Sequence, residues 1–199
     1  VLKQITDGEV EGYTYHRDDN PTVRAVERVL ADMEGAEDCV LCTTGMAACT
    51  MVYLTYLSAG DHVVLFHDIY GAHYKVSLIL ERLGVEITWL DASAADTLER
   101  HVKPNTRMIF LETPTNPLCK TIDIAATRKA ADSVGAMLIV DNTFATPLHQ
   151  KPLTLGADLV VVGDARPRGM RRAALSSITE SILEYTSCSV LTVREPLGS

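Results

Sequence analysis

Short apolar runs alternate along this sequence with stretches in which apolar residues recur at helical spacing. The clearest run covers residues 136–140, where five consecutive apolar residues predict a strand buried on both faces, as in parallel sheets. Further strands are predicted over residues 38–43, 62–66, 85–90, 106–111 and 157–162. The segments between them are long enough for helical crossovers. The alternation therefore predicts an α/β domain with a doubly wound, mostly parallel sheet.

The helices are placed by the period of the apolar residues and by the residues that start and stop helices. A first helix is predicted between Thr22, which we expect to cap it, and Gly35, which ends it. Further helices are predicted over about residues 45–57, 74–83, 94–101 and 123–134. Residues 1–20 are polar and show no period, so we expect them to form an extended arm.

Polar side chains follow several of the predicted strands. Asp141 directly follows the strand at 136–140, Tyr70 follows another strand, and Glu112 begins a proline-rich loop. Because the carboxyl ends of parallel strands meet at one edge of a sheet, these loops should converge on one cleft. Gly45 opens a helix after a strand, and the free amides of such a turn favour an anion such as phosphate. Asp141 is either a ligand-binding group or a residue that caps the next turn.

Composition narrows the function classes. The chain has 199 residues, and 18 basic against 26 acidic side chains give a net charge of −8, which disfavours nucleic acid or an anionic membrane as a partner. No apolar run is long enough to span a membrane, and neither the dinucleotide-binding nor the P-loop glycine motif occurs. The five scattered cysteines are typical of reduced thiols in a cytoplasmic protein. Cys39 and Cys42 lack further ligands nearby, so no metal site is expected.

Six groups of residues occur in a defined order between residues 13 and 162. They are Tyr15-x-Arg17 with Asn20-Pro-Thr22, Thr44-Gly-Met-Ala-Ala48, Tyr70-Gly71, Glu112-Thr-Pro-Thr-Asn-Pro117, Asp141-Asn-Thr-Phe144 and Leu155-Gly-Ala-Asp158. With this ordered set the sequence resembles the trans-sulfuration family of fold-type I pyridoxal phosphate (PLP) enzymes, such as cystathionine γ-synthase, cystathionine γ-lyase and methionine γ-lyase. The resemblance implies γ-elimination or γ-replacement chemistry at C–S bonds, with a sulfur amino acid or an activated homoserine as substrate.

The resemblance also implies roles for the residues around the cofactor. Asp141 would hold the protonated pyridine nitrogen of PLP, which keeps the ring an electron sink. The amides of Gly45 and Met46 would bind the phosphate. Tyr70 would stack on the ring and take part in catalysis, and Asn116 would form a hydrogen bond with the phenolic oxygen.

Three further positions complete the site that the resemblance implies. Thr143 would help to position the ring beside Asp141. Tyr15 and Arg17 would reach the phosphate bound by a neighbouring subunit. The expected partner is therefore a second copy of the chain, in a homo-oligomer, or a full-length homologue.

The resemblance ends at residue 163. The family continues from its last strand into the lysine that forms a Schiff base with the cofactor, and in an ungapped alignment Arg166 takes that position. A guanidinium stays protonated and is no imine-forming amine. Gly163 and Ala165 replace the hydroxyl groups that bind phosphate in the family. We therefore expect this chain, as written, to be inactive.

These features divide the chain into three parts. We expect an N-terminal arm at 1–22, an incomplete PLP-binding α/β domain at 23–162, and an unrelated tail at 163–199. The tail is basic and then amphipathic, and it stands where the family has a C-terminal domain. Two hypotheses stay open: a trans-sulfuration enzyme by descent with an incomplete chain, or a non-catalytic paralogue that associates with a full-length subunit. The sequence does not choose between γ-synthase, γ-lyase and β-lyase.

Overall fold

A computed structural model of the chain describes residues 2–6, 12–16, 20–163 and 189–193. Its α-helices are α1 (Leu2–Thr6), α2 (Pro21–Glu34), α3 (Gly45–Tyr56), α4 (His73–Arg82), α5 (Ile124–Asp132) and α6 (Thr146–His149), with 3₁₀ helices at Ala92–Arg100 and Pro152–Leu155. Its strands are β1 (Asp38–Cys42), β2 (His62–Phe66), β3 (Glu86–Leu90), β4 (Thr106–Glu112), β5 (Met137–Asp141), β6 (Leu159–Val162) and β7 (Ser189–Val193). None of the helices in these ranges is long and apolar enough to cross a membrane.

The strands of the described residues form one sheet in the order β1-β7-β6-β5-β4-β2-β3. Strand β2 pairs in parallel with β3 and β4, and parallel pairing continues from β4 to β5 and from β5 to β6. Strand β7 is antiparallel to both of its neighbours, β1 and β6. The structure therefore confirms the mostly parallel α/β fold that the sequence predicts.

Buried apolar side chains form a core on each face of the sheet. Helices α2 and α5 cover one face, where Leu30 is buried, and α3 and α4 cover the other, where Leu80 is buried. Burying one such leucine stabilises the fold by about 1.5–3 kcal/mol. Cys39 and Cys42 belong to different cores, because residues three apart in a strand point to opposite faces of the sheet. The C-x2-C spacing therefore does not bring these two thiols together.

The beginning of the chain is not extended throughout, contrary to the expectation from its sequence. Leu2–Thr6 is helical, and the side chain of Ile5 packs against Gly12. A Cβ atom built on Gly12 would come within 2.6 Å of Ile5 Cδ1, so a larger residue there would have to displace the end of the Ile5 side chain. A local contact between residues 5 and 12 thus accompanies the helical turn.

The cap of helix α2 lies two residues before the predicted cap, Thr22. Asn20 is the actual N-cap, and its Oδ1 accepts a hydrogen bond of 3.0 Å from Val23 N. Pro21 occupies the first helical position, where its missing N–H leaves no intrahelical bond unmade. Asn20 and Pro21 together fix the start of the helix.

Strand β7 was not predicted from the sequence. It lies between β1 and β6, with Leu191 opposite both Val40 and Val161. It belongs to the segment that the sequence pattern sets apart as a tail. Arg166 and the predicted amphipathic stretch of that segment fall within residues 164–188, which are outside the described residues. The division of the chain at residue 162 stays a prediction.

Glu34, at the end of α2, is a buried carboxyl group beside the loop that follows β5. Its Oε1 accepts a hydrogen bond of 3.4 Å from Asn142 Nδ2, whereas its Oε2 has no hydrogen-bond partner among the described residues. Burial raises the pKa of Glu34 from 4.5 to about 7, and the Asn142 hydrogen bond and the charge of Lys151 oppose this shift in part. The fold is therefore most stable when Glu34 is protonated.

We expect Glu34→Gln to reduce the dependence of stability on pH. A carboxyl group whose pKa is higher in the folded chain stabilises the fold below its unfolded pKa and loses this contribution as pH rises through its folded pKa. The free energy of unfolding of the unaltered protein should fall between pH 4.5 and about 7, by up to about 3 kcal/mol from this group. Glutamine cannot titrate, so urea unfolding of the variant should lack this component. The exposed Glu37→Gln serves as control, and an unchanged slope in Glu34→Gln would contradict the prediction.

Candidate functional site

A cavity of about 560 Å³ opens at the carboxyl edge of the parallel strands. Its wall combines the ends of β4, β5 and β6 with the amino end of α3, which is where open α/β sheets bind their ligands. The cavity is lined by Thr44, Gly45, Met46, Cys49, Tyr70, Glu112, Pro114, Asn116, Asp141, Thr143, Phe144 and Gly163. Loops that are distant in sequence therefore meet in one cleft.

Asp141 lies at the end of β5 and lines this cavity. Its Oδ1 accepts a hydrogen bond of 2.9 Å from Thr143 N. Burial raises the pKa of Asp141, and the hydrogen bonds from Thr143 lower it in part. A cation placed in the cavity would stabilise this carboxylate, because an opposite charge nearby offsets the cost of desolvation.

Glu112 is a buried carboxyl group that joins two of the loops around the cavity. Its Oε1 accepts a hydrogen bond of 2.9 Å from Tyr70 N, and its Oε2 accepts one of 3.1 Å from Asn116 N. Glu112 lies opposite Asp141 in the β4–β5 pair, so burial and the neighbouring carboxylate together raise the pKa of Glu112 to about 8. Sequence reasoning missed this role, and its one signal was the position of Glu112 at the head of the proline-rich loop.

Helix α3 presents its amino end to the same cavity. Thr44 caps the helix, since its hydroxyl accepts a hydrogen bond of 3.0 Å from Ala47 N and its carbonyl accepts one of 3.1 Å from Ala48 N. Helix geometry leaves the amides of Gly45 and Met46 without intrahelical partners. Both residues line the cavity, where their amides and the helix dipole favour an anion such as phosphate.

Gly163 brings the end of β6 close to this helix start. Its N–H donates a hydrogen bond of 2.6 Å to Thr143 Oγ1. A Cβ atom at position 163 would lie 3.0 Å from Thr143 Oγ1 and 3.9 Å from Gly45 Cα. A larger residue there would therefore have to displace Thr143 by a few tenths of an ångström.

Asn142 fixes the loop that carries Asp141. Its backbone N–H donates a hydrogen bond of 2.8 Å to Val161 O, and its side-chain amide donates one of 2.9 Å to Gln150 O. Gln150 Nε2 in turn donates to Asn142 Oδ1 at 3.0 Å and to Thr113 O at 2.8 Å. These hydrogen bonds connect the loops that follow β4 and β5 and join the second loop to strand β6. The cavity wall is thus held by fixed polar contacts rather than by apolar packing alone.

Most of the predicted site residues lie on this cavity, and others do not. Gly45, Met46, Tyr70, Asn116, Asp141 and Thr143 all line it. Tyr15 is exposed, with its ring 5.3 Å from that of His16, and it is not among the lining residues. Arg17 and Arg166 lie outside the described residues.

A doubly wound sheet with a carboxylate and a helix amino end in one cavity defines a ligand-binding α/β domain. Its cavity suits a small molecule that has both an anionic and a cationic group. The family model described as Cys/Met metabolism PLP-dependent enzyme matches residues 1–165. The chain belongs to this family, which confirms the resemblance found from the motifs. The model of the Universal stress protein family also matches a short segment, residues 152–194.

Known relatives are similar in sequence to most of this chain but are longer than it. Cystathionine gamma-lyase of Bacillus subtilis is 46% identical over 162 residues, which are 81% of this chain and 42% of the relative. The L-methionine gamma-lyase of Fusobacterium nucleatum subsp. polymorphum is 44% identical over 155 residues, 77% of this chain and 39% of the relative. The chain thus spans less than half the length of these curated relatives.

Two solved structures show the same architecture. The crystal structure of metB from Corynebacterium glutamicum superposes with a TM-score of 0.80 at 34% identity, covering 93% of this chain and 45% of the other. A putative O-acetylhomoserine (thiol)-lyase from Campylobacter jejuni gives a TM-score of 0.82 at 28% identity, covering 98% and 46%. The second structure contains N'-pyridoxyl-lysine-5'-monophosphate.

Proposed function

We propose that the cavity binds PLP. The observation that carries this proposal is that Asp141 and the amino end of α3 line one cavity of about 560 Å³. Asp141 pairs with the protonated ring nitrogen, and the amides of Gly45 and Met46 bind the phosphate. When bound, the cofactor supplies an electron sink for reactions at amino-acid carbons.

The remaining cavity residues orient the ring in this proposal. Tyr70 stacks on the ring, Asn116 donates a hydrogen bond to the phenolic oxygen, and Thr143 positions the ring beside Asp141. Glu112 supports both contacts, because it binds the backbone N–H groups of Tyr70 and Asn116. Loss of that carboxyl group would leave two N–H donors unpaired, at a cost of about 1–3 kcal/mol each where they are buried.

We propose that the chain derives from an enzyme that makes or breaks C–S bonds in sulfur amino acids or activated homoserine. The names of its relatives, which include an O-succinylhomoserine sulfhydrylase of Pseudomonas aeruginosa, support this substrate class. Our second candidate is a non-catalytic paralogue that binds the cofactor or a full-length subunit. The position of Arg166 favours this second candidate, because arginine cannot form the covalent link. The five cysteines scattered along the sequence, which are typical of reduced thiols, support a cytoplasmic location.

Direct binding of an aldehyde-free analogue tests the proposed cofactor site. Pyridoxine 5'-phosphate has the ring nitrogen and the phosphate but cannot react with surface lysines. We expect calorimetry to show binding at least about tenfold tighter than that of pyridoxine, since hydrogen bonds to charged groups contribute about 1.5–3 kcal/mol. Inorganic phosphate should compete with the phosphorylated analogue. Equal affinity for the two analogues would contradict the phosphate site at α3.

We also propose that the chain associates with a second copy or with a full-length homologue. Helices α3 and α4 pack on the same face of the sheet and leave large apolar side chains in water. These are Met51, Leu54, Leu78, Ile79 and, just after α4, Leu83. Such a surface is typical of an interface. The proposed contact of Tyr15 and Arg17 with the cofactor of a neighbouring subunit also requires an interface between subunits. Sedimentation velocity at micromolar concentration should show an oligomer, and a clean monomer would contradict association between copies.

A further inference from the structure

Three potential metal ligands come together in the structure, and two of them line the cavity. Cys49 lies on α3, His73 opens α4 and Asp141 ends β5. One ligand atom from each residue lies within 4.8 Å of the other two. Cys49 and Asp141 also line the cavity, so an ion entering from solvent would reach this cluster.

His73 contributes a second, independent observation. Its ring is 1% exposed, and its Nδ1 lies 2.9 Å from the hydroxyl of Tyr53. Its Nε2 is buried and has no hydrogen-bond partner among the described residues, and Glu112 Oε1 is 4.0 Å away. A buried polar atom without a partner costs about 1–3 kcal/mol. One of the three potential ligands therefore carries a buried nitrogen that has no hydrogen-bond partner among the described residues.

We propose that Cys49, His73 and Asp141 form a binding site for a divalent zinc-type cation. A thiolate, an imidazole and a carboxylate are the ligands that Zn²⁺ takes in proteins, whereas Ca²⁺ and Mg²⁺ prefer oxygen alone. Three protein ligands leave a fourth position toward the cavity for water or another ligand. The ligand atoms lie within 4.8 Å of one another, and side-chain rotations would have to bring them to the closer spacing of a tetrahedral site.

The surroundings of His73 suit this role. A neutral imidazole has one lone pair available for a metal. With Nδ1–H donating to the Tyr53 hydroxyl, that lone pair is on Nε2. Metal-binding histidines in proteins commonly donate their other N–H to such a partner, which holds the ring in orientation.

The proposed metal would share Asp141 with the proposed cofactor. If Asp141 also pairs with the ring nitrogen of PLP, the two ligands exclude each other. This exclusion rests on the proposed function, whereas metal binding itself does not. The cluster joins residues 49, 73 and 141, which are far apart in the sequence, so no metal-binding motif of short spacing predicts it.

Cobalt titration of the metal-free full chain tests the site. We expect one Co²⁺ per chain, with near-ultraviolet absorption from a thiolate–cobalt bond, and displacement by Zn²⁺. Cys49→Ser should abolish that absorption. His73→Asn removes Nε2 but keeps a polar atom near the position of Nδ1 for Tyr53. Tyr53→Phe removes the hydroxyl that orients the ring and should lower the affinity for cobalt about 10–100-fold. His73→Asn should lower the affinity at least as much.

Matched controls separate this cluster from other ligands. Cys119→Ser and His149→Gln alter exposed residues outside the cluster and should leave cobalt binding unchanged. Circular dichroism checks that each variant is folded. Absence of stoichiometric cobalt binding in the unaltered chain, or a thiolate band that survives in Cys49→Ser, would overturn the proposal.

Competition between cobalt and the proposed cofactor site is then measured with pyridoxine 5'-phosphate. Cobalt binding without competition would count against a shared Asp141 and leave the metal site intact.

Discussion

Replacing Asp141 with alanine is expected to weaken pyridoxine 5'-phosphate binding by about ten- to a hundredfold, the loss that corresponds to one charge-assisted hydrogen bond. The carboxylate lines the cavity and is partly desolvated, so its interaction with a ring cation would be less screened by water than that of an exposed aspartate. Asp141→Asn should weaken binding to a similar extent, because the amide keeps the shape but carries no charge. Calorimetry in the presence of a chelator measures both effects free of any bound metal.

Asp91 offers a matched control for this experiment. It follows directly after β3, as Asp141 ends β5, but it is exposed and does not line the cavity. Asp91→Ala should leave the affinity unchanged. Equal affinity of the Asp141 variants and the unaltered chain would show that this carboxylate does not hold the ring nitrogen. A loss in Asp141→Ala that Asp141→Asn restores would assign the effect to shape rather than charge.

We expect this chain to form no specific covalent link with PLP and to have negligible turnover of sulfur amino acids. Its lysines are at positions 3, 75, 103, 120, 129 and 151, and none of them lines the cavity. Lys103 and Lys120 form ion pairs with Glu86 and Asp68 instead. A cofactor-linking lysine also transfers protons, and general acid–base catalysis alone contributes about 10²–10⁴-fold. Borohydride reduction with PLP, followed by peptide mapping, should find only scattered labelling at low yield.

Arg166→Lys alone is not expected to restore activity. Ala165 carries no hydroxyl for the phosphate, and a hydroxyl-bearing residue at position 163 would have to displace Thr143, because its Cβ atom would lie 3.0 Å from Thr143 Oγ1. A lysine without this surrounding would lack a fixed orientation toward the ring. A stoichiometric pyridoxyl-lysine at one site in the unaltered chain, together with turnover, would contradict the prediction. Turnover in Arg166→Lys would show that the arginine is the main defect.

The sequence alone determined the parallel sheet. The apolar run at 136–140 became β5, whose central residues are buried, and the runs at 62–66 and 106–111 became β2 and β4. Buried parallel strands require continuous apolar runs, so local composition carries this information. Ends of elements were less certain, because Asn20 and Thr22 are both good helix caps and only the backbone geometry selects Asn20.

The ordered motifs likewise determined the family and identified residues that line the cavity, Asp141 and Tyr70 among them. Tertiary structure alone decided how these residues are supported. Glu112 binds both Tyr70 N and Asn116 N because β4 places it beside two loops that are distant in sequence. Strand β7 depends on pairing with β1 and β6, and the Cys49–His73–Asp141 cluster depends on three elements packing together. A single sequence records local preference, whereas such long-range contacts exist only once the sheet has assembled.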